Sequence, residues 1–168
     1  MNELRQISLE ASSRPLSDAA ANFIADGREL AKHINCFDFV PSNYENAWSK
    51  LDALPRGRFC EWGSGLGIVT GLAELLGFEA YGVEQDLDLC QKSQDLFQSR
   101  GLKSTISHES YFESKIRADI YYVYCWPSIM MATEAWFAKI AQPDSLLVIG
   151  YGQDDLRGFQ IEPTADEA

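Results

Sequence analysis

Two acidic residues and a glycine-rich loop lie close together in the segment FCEWGSGLGIVTGLAELLGFEAYGVEQD. Glu61 opens the loop that holds Gly63, Gly65 and Gly67, and Glu84 ends the next apolar run. Glycine takes positive φ easily and leaves no Cβ between the backbone and a ligand. A carboxylate at the end of a strand can accept hydrogen bonds from both hydroxyls of a ribose. This pattern is typical of a site for a nucleoside-like ligand.

The glycine spacing separates two kinds of nucleotide site. The dinucleotide fingerprint G-x-G-x-x-G requires its third glycine at position 68, where this chain has Ile68. Here the third glycine, Gly67, comes one residue earlier, which gives G-x-G-x-G. We expect Gly63 and Gly65 to take positive φ, and Gly67 to let the next helix begin close against the strand.

The stretch EWGSGLG resembles the first motif of the class I S-adenosylmethionine-dependent methyltransferases. The resemblance implies that Glu61 lies near the methionine amino group, that Glu84 binds the ribose and that Gln85 lies beside the adenine. The alternative for Glu84 is a solvated residue at a strand end. The residues assigned to the cofactor, S-adenosylmethionine, by these two motifs are Glu61, Gly63, Ser64, Gly65, Gly67, Glu84 and Gln85.

The segment SHESYFE follows the third predicted strand, where this family often has an acidic or polar residue that contacts the adenine amino group. The resemblance therefore assigns Glu109 or Ser110 to the adenine. His108 has two interpretations, a structural residue at the surface and a catalyst, and a lone histidine favours the first.

The fourth predicted strand ends in YYVYCWPS, where the family's fourth motif approaches the sulfonium and the substrate. Tyr124 and Trp126 offer aromatic surface there, although a buried strand would also explain the aromatic run at 121–124. The Asn/Asp-Pro-Pro-aromatic motif of amino-methylating members is absent from this sequence. Methylation of an amide or base nitrogen therefore has no support.

An aromatic pair in the segment PSNYENAW is a further candidate for the substrate side. Tyr44 and Trp48 share one face of a predicted helix, and packing against the sheet is the alternative. The predicted substrate side combines this segment with residues near the ends of the third and fourth predicted strands. It consists of Tyr44, Tyr111, Tyr124 and Trp126.

Short apolar runs alternate with amphipathic ones after residue 58, which predicts strand-helix-strand units and a parallel sheet. We expect an α/β fold, a three-layer α-β-α Rossmann-like sandwich with a mostly parallel sheet of five or six strands and extra N-terminal helices. The predicted strands are 59–62, 80–83, 105–107, 120–125, 146–150 and a sixth near 159–161. The predicted helices are 16–34, 43–54 capped by Ser42, 67–76, 87–100 and 129–141 capped by Ser128.

The length of 168 residues predicts one domain, with an N-terminal helical segment (1–55), a cofactor-binding core (58–161) and an acidic tail (162–168). The family's sheet usually ends with a reversed hairpin of two strands after the fifth. The residues after Gly150 leave room for one strand at most. We therefore expect either a compact member of the family or a short sheet edge that another part covers. The cover would be the N-terminal helices or a partner subunit, which could be a second copy in a homo-oligomer.

The charge balance limits the partners. Fourteen basic and 25 acidic residues give a formal net charge of −11, which disfavours nucleic acid and anionic lipid and favours a small-molecule substrate. No apolar run is typical of a secretory signal or a membrane span, so we expect a cytoplasmic protein. The cysteines are predicted to be reduced core residues and not a disulfide frame or a zinc site: Cys36, Cys60, Cys90 and Cys125.

The resulting hypothesis is an S-adenosylmethionine-dependent methyltransferase that acts by in-line methyl transfer. No residue is assigned as a catalytic base, because a base is required only when the nucleophile arrives protonated. Two alternatives stay open, a cofactor-binding protein or inactive subunit without turnover and a nicotinamide-dependent oxidoreductase.

Overall fold

Strands and helices alternate along most of the chain. The computed structural model describes residues 3–35, 40–152 and 154–162. In order, the elements are β1 (Leu4–Ile7), α1 (Asp18–Ala31), α2 (Tyr44–Asp52), β2 (Arg58–Trp62), α3 (Ile68–Leu75), β3 (Glu79–Glu84), α4 (Leu87–Ser99), β4 (Thr105–His108), β5 (Ile120–Tyr124), α5 (Pro127–Ile140), β6 (Leu146–Gly150) and β7 (Leu156–Ile161).

One seven-stranded sheet runs through the molecule in the order β1-β7-β6-β5-β2-β3-β4. The five strands from β6 to β4 in this order are parallel, whereas β7 is antiparallel to both β6 and β1. The predicted α/β class with a mostly parallel sheet is confirmed. The order reverses on either side of β2, so the carboxyl ends of β2 and its neighbours border a crevice.

Helices cover both faces of the sheet and create two apolar cores. Successive residues of a strand point to opposite faces, so Phe59 joins the core beneath α1 to α4 while Cys60 joins the core beneath α5. The thiols of Cys60, Cys90 and Cys125 are free and buried, as predicted for reduced core residues. Cys36 lies outside the described residues. None of the described helices is long and apolar enough to cross a bilayer.

The sheet has one strand more than the five or six predicted, because the N-terminal segment contributes β1. Leu4 pairs with Ile161 and Ile7 with Gly158, and the Glu162 amide donates to the Glu3 carbonyl at 2.8 Å. The segment 1–55, predicted to be helical, thus also completes the sheet edge. No partner subunit is needed to supply this strand.

Helix boundaries differ from the predicted ones where capping chemistry decides. Asn43 caps α2 in place of Ser42, since its side chain accepts from the Asn46 amide at 3.0 Å. α5 begins at Pro127, before the predicted cap Ser128, because proline at the first helical position already has a helical φ. α1 is shorter at both ends than the predicted 16–34. The remaining bounds agree within one or two residues, except that β7 begins three residues earlier.

Candidate functional site

A cavity of about 550 Å³ opens at the carboxyl ends of the central parallel strands. This volume lies within the usual range for a site that binds one small molecule. The cavity brings together every predicted site residue except Gly67. The predicted residues that line it are Tyr44, Glu61, Gly63, Ser64, Gly65, Glu84, Gln85, Glu109, Ser110, Tyr111, Tyr124 and Trp126.

The glycine loop has the backbone that the sequence predicted. Gly63 and Gly65 have φ of 66° and 55°, and Gly67 has φ of 71° at the N-cap of α3. Gly67 does not line the cavity. A Cβ there would lie 2.8 Å from Phe97 of α4, so glycine lets the helix begin close to its neighbours.

Glu84 ends β3 with its carboxylate buried beside the glycine loop. Its Oε2 accepts from the Gly65 amide at 2.8 Å and its Oε1 accepts from the Asp86 amide at 2.9 Å. Each carboxylate oxygen can accept about two hydrogen bonds, which leaves roughly one further site on each oxygen. That pair of free sites matches two adjacent hydroxyls.

Glu61 is buried near the end of β2 and has no basic partner among the described residues. Its Oε2 accepts from the Thr70 amide at 2.8 Å and from Thr70 Oγ1 at 2.6 Å, and no hydrogen bond within the described ranges reaches Oε1. Burial raises the pKa of Glu61 to about 8, with a smaller contribution from the Glu84 charge, and the Thr70 hydrogen bonds act in the opposite direction. A bound cation would relieve this unfavourable charge.

Aromatic rings also line the cavity. The rings of Trp62 and Tyr111 stack at 5.2 Å with an interplanar angle of 4°, and Tyr111 contacts Phe112 at 4.3 Å between ring centroids. The Tyr111 hydroxyl lies 2.8 Å from Thr133 Oγ1 on α5. Stacking and this hydrogen bond fix the orientation of the ring.

Tyr44 and Trp48 were given two interpretations, a place on the substrate side and packing against the sheet, and the structure separates the two residues. Both are buried in the core beneath α1 to α4, but Tyr44 also lines the cavity and Trp48 does not. Burial raises the pKa of Tyr44, and the nearby Glu61 carboxylate raises it further. Tyr44 therefore has both a packing contact and a face toward the site.

The aromatic residues of β5 and those just after it also differ, since some pack in a core and others line the cavity. Tyr121 and Tyr122 are buried and pack in the two cores, as the core interpretation predicts. Tyr124 is half-buried at the cavity wall, and Trp126 is 48% exposed at its mouth. His108 is exposed and its Nε2 lies 3.0 Å from the Gln85 carbonyl oxygen, outside the cavity wall, which favours the structural interpretation.

Solved methyltransferase structures share this fold. An RNA methyltransferase from Salinibacter ruber in complex with S-adenosyl-L-homocysteine matches with a TM-score of 0.57 and 16% identity, over 90% of this chain and 95% of its own. The SAH-bound methyltransferase PaMTH1 from Podospora anserina matches with 0.62 and 14%, over 82% and 63%. A ribosomal protein L11 methylase from Lactobacillus delbrueckii subsp. bulgaricus matches with 0.59 and 11%, over 71% and 78%.

The fold is that of the class I S-adenosylmethionine-dependent methyltransferases. No family model matches the sequence, and no curated protein matches it. The likeness to the solved methyltransferases therefore rests on three-dimensional structure, and it establishes the fold.

The cavity of this methyltransferase fold has groups that suit S-adenosylmethionine. Glu84 has room for the ribose hydroxyls, and Glu61 has a free oxygen for the ammonium group. Ser64 also lines the cavity, and its Oγ is buried with no hydrogen-bond partner among the described residues. The residues present therefore fit the cofactor.

Several residues of the site carried no usable signal in the sequence. Thr70 holds Glu61 from the first turn of α3, although threonine is common in helices that have no such role. Trp62 follows Glu61 directly, but only the folded chain shows its stack on Tyr111. The other cavity-lining residues that the sequence did not single out are Val40, Ser42, Leu66, Ile68, Val83, Asp86, Leu89, Phe112, Val123, Cys125 and Ile129.

Proposed function

We propose that this protein binds S-adenosylmethionine in the cavity and transfers its methyl group to a small molecule. The observation that carries the proposal is the pair of buried carboxylates, Glu61 and Glu84, beside the G-x-G-x-G loop. Glu61 has no basic partner among the described residues, and both carboxylates face one cavity. Buried ionisable groups with perturbed pKa values in a cleft are typical of functional sites.

The binding roles follow from the free hydrogen-bonding positions. Glu84 binds the two ribose hydroxyls, and Glu61 Oε1 binds the ammonium group. Gln85 lies beside the adenine, whose amino group is contacted by Glu109 or Ser110. Glu109 Oε1 already accepts from Ser107 Oγ at 3.0 Å, which fixes its orientation and leaves further acceptor capacity.

When bound, S-adenosylmethionine supplies an electrophilic methyl group on a sulfonium. The protein contributes by placing the acceptor in line with that methyl group and by excluding water, which can account for much of the rate enhancement. Tyr44, Tyr111, Tyr124 and Trp126 form the wall that orients the acceptor.

Charge supports a small molecule as acceptor. The structural relatives include an RNA methyltransferase and a ribosomal protein methylase. Here the formal net charge is −11, and none of the described residues that line the cavity is Lys, Arg or His. A polyanion would therefore meet repulsion at the cavity and find no cationic residue in its wall.

The experiment is a calorimetric titration with S-adenosylmethionine, S-adenosylhomocysteine and NAD. We expect micromolar binding of the first two and none of NAD. Glu84→Gln should weaken binding by about 10- to 100-fold, the effect of losing charge-assisted hydrogen bonds. The matched control is Glu79→Gln, at the exposed opposite end of the same strand, which should leave the affinity unchanged.

Two results would overturn the proposal. One is the absence of binding to both S-adenosyl compounds, and the other is equal loss of affinity in Glu84→Gln and Glu79→Gln. Methylated product, detected by mass spectrometry with a panel of small acceptors, separates a transferase from a protein that binds the cofactor without turnover.

A further inference from the structure

Two sets of side chains line the cavity, carboxylates and aromatic or apolar residues, and we call them its acidic half and its aromatic half. The acidic half lies on the side of β2, β3 and β4, and its carboxylates are Glu61, Glu84, Asp86 and Glu109. The aromatic half comes from α2, the segment after β4, the end of β5 and the start of α5, and consists of Tyr44, Tyr111, Phe112, Tyr124, Trp126 and Ile129.

Two of these carboxylates already accept hydrogen bonds within the chain. Asp86 caps α4 by accepting from the Leu89 amide at 3.0 Å, and Glu109 accepts from Ser107. Glu61 and Glu84 are the residues proposed to bind the cofactor. The acceptor must therefore gain its affinity from the aromatic half.

One ring of the aromatic half is fixed in place, and two of its large apolar side chains are exposed at the mouth of the cavity. The Tyr111 ring is held between Trp62 and Phe112 and by Thr133, so its position is fixed before any ligand binds. At the mouth, Trp126 and Ile129 are 48% and 38% exposed. Pro127 follows Trp126 directly as the first residue of α5, which restricts the backbone beside that indole.

We propose that the methyl acceptor is a small molecule built on a planar apolar ring, without an anionic group, that stacks on Trp126 at the mouth of the cavity. This inference rests on the proposed function, because it takes the acidic half as the cofactor's. Aromatic faces bind planar rings and cations. A carboxylate or phosphate on the acceptor would find no basic side chain among the described residues of the wall. It would also be repelled by the carboxylates that line the same cavity.

The test uses three naphthalene compounds that share one ring and differ in a single substituent, a hydroxymethyl, an aminomethyl or a carboxylate group. Each is titrated calorimetrically into the protein saturated with S-adenosylhomocysteine. We expect the neutral and cationic compounds to bind about tenfold more tightly than the carboxylate compound. Trp126→Ala should weaken both by about tenfold, and Trp126→Phe should restore most of the loss.

The matched control is Met131→Ala, because Met131 is 83% exposed on the same helix and does not line the cavity. It should leave the affinities for the ring compounds unchanged. Unchanged affinity for S-adenosylhomocysteine in each variant shows that the fold is intact.

The outcomes separate this inference from the proposed function. If S-adenosylhomocysteine does not bind the wild-type protein, the proposed function fails and this inference with it. If it binds but the carboxylate compound binds as tightly as the others, or Trp126→Ala matches Met131→Ala, only the inference on the acceptor is overturned. A dimer that is lost in Trp126→Ala, with no ring binding, would assign the exposed apolar surface to a second copy and overturn it as well.

Discussion

Two carboxylates are buried in different parts of the molecule, and their surroundings are opposite. Asp52 ends α2 with its side chain 1% exposed, and it accepts from Arg14 Nε and Arg56 Nη2, each at 2.8 Å. Glu61 is the penultimate residue of β2 and has only Thr70 as a hydrogen-bond donor among the described residues. The hydrogen bond from Arg14 holds the pKa of Asp52 well below its usual range, whereas burial raises the pKa of Glu61 to about 8.

The difference is the one expected between a carboxylate that stabilises the fold and one that we propose binds a ligand. The charge of Asp52 is compensated within the chain, and its two arginines connect α2 to the N-terminal segment and to the start of β2. The ionised form of Glu61 would not be compensated by any basic residue among the described residues that line the cavity. A fold retains such a destabilising group where a cationic ligand completes it.

The largest effect is expected from removing the compensated charge. Asp52→Asn should lower the free energy of unfolding at pH 7 by about 2 to 3 kcal/mol, because the buried carboxylate loses its charge-assisted hydrogen bonds from Arg14 and Arg56. Urea denaturation measures the change. The matched control is Asp155→Asn, whose partner Arg157 lies in an exposed pair, and it should change stability by less than about 0.5 kcal/mol. Equal effects in the two variants would contradict the assignment of Asp52 as a structural carboxylate.

A smaller effect of opposite sign is expected at Glu61. Because its pKa is higher in the folded chain than in the unfolded one, the folded state holds the extra proton and loses stability as the pH rises from about 4.5 to about 8. Glu61→Gln keeps an acceptor for Thr70 and removes the charge. The variant should be more stable than wild type at pH 9 and nearly equal to it at pH 4. Unfolding curves at both pH values test this, and a deficit at pH 9 would contradict it.

The short apolar strands in the centre of the sheet were predictable from the sequence, and the edge strand β1 was not. β2, β3 and β6 are short apolar runs next to glycine, so local pattern identified them. β1 has the sequence LRQI, whose two central residues are polar because an edge strand is half solvated. Its partner β7 is near the other end of the chain, and no local signal encodes such a distant pairing.

The residues of the site also fall into those that the sequence could place and those that it could not. Glu61, Glu84 and the glycines could be placed because each stands at a fixed distance from a strand end. Their partners could not, since the bonds from Thr70 to Glu61 and from Gly65 to Glu84 depend on side-chain directions in the folded chain. The missing basic partner of Glu61, which distinguishes it from Asp52, is also a property of the three-dimensional surroundings.

The smallest expected effect is a fraction of a proton, and it tests the comparison most directly. At pH 7 the Glu61 carboxyl is mostly protonated in the free protein, since its pKa is about 8. A bound ammonium group favours the carboxylate and lowers that pKa, so the proton is released. We expect S-adenosylhomocysteine to release more than about half a proton at pH 7, measured by calorimetry in buffers of different ionisation enthalpy.

Two variants sharpen the measurement of proton release. Glu61→Gln should abolish the proton release, because the neutral amide has no proton that titrates in this pH range. It should also weaken binding, because the amide carries no charge for the ammonium group. Asp52→Asn, titrated under conditions where it stays folded, should release as much as wild type, because that carboxyl is already ionised at pH 7. Release that persists in Glu61→Gln would show that another group titrates, and would remove the reason to treat Glu61 as the carboxylate that awaits the ligand.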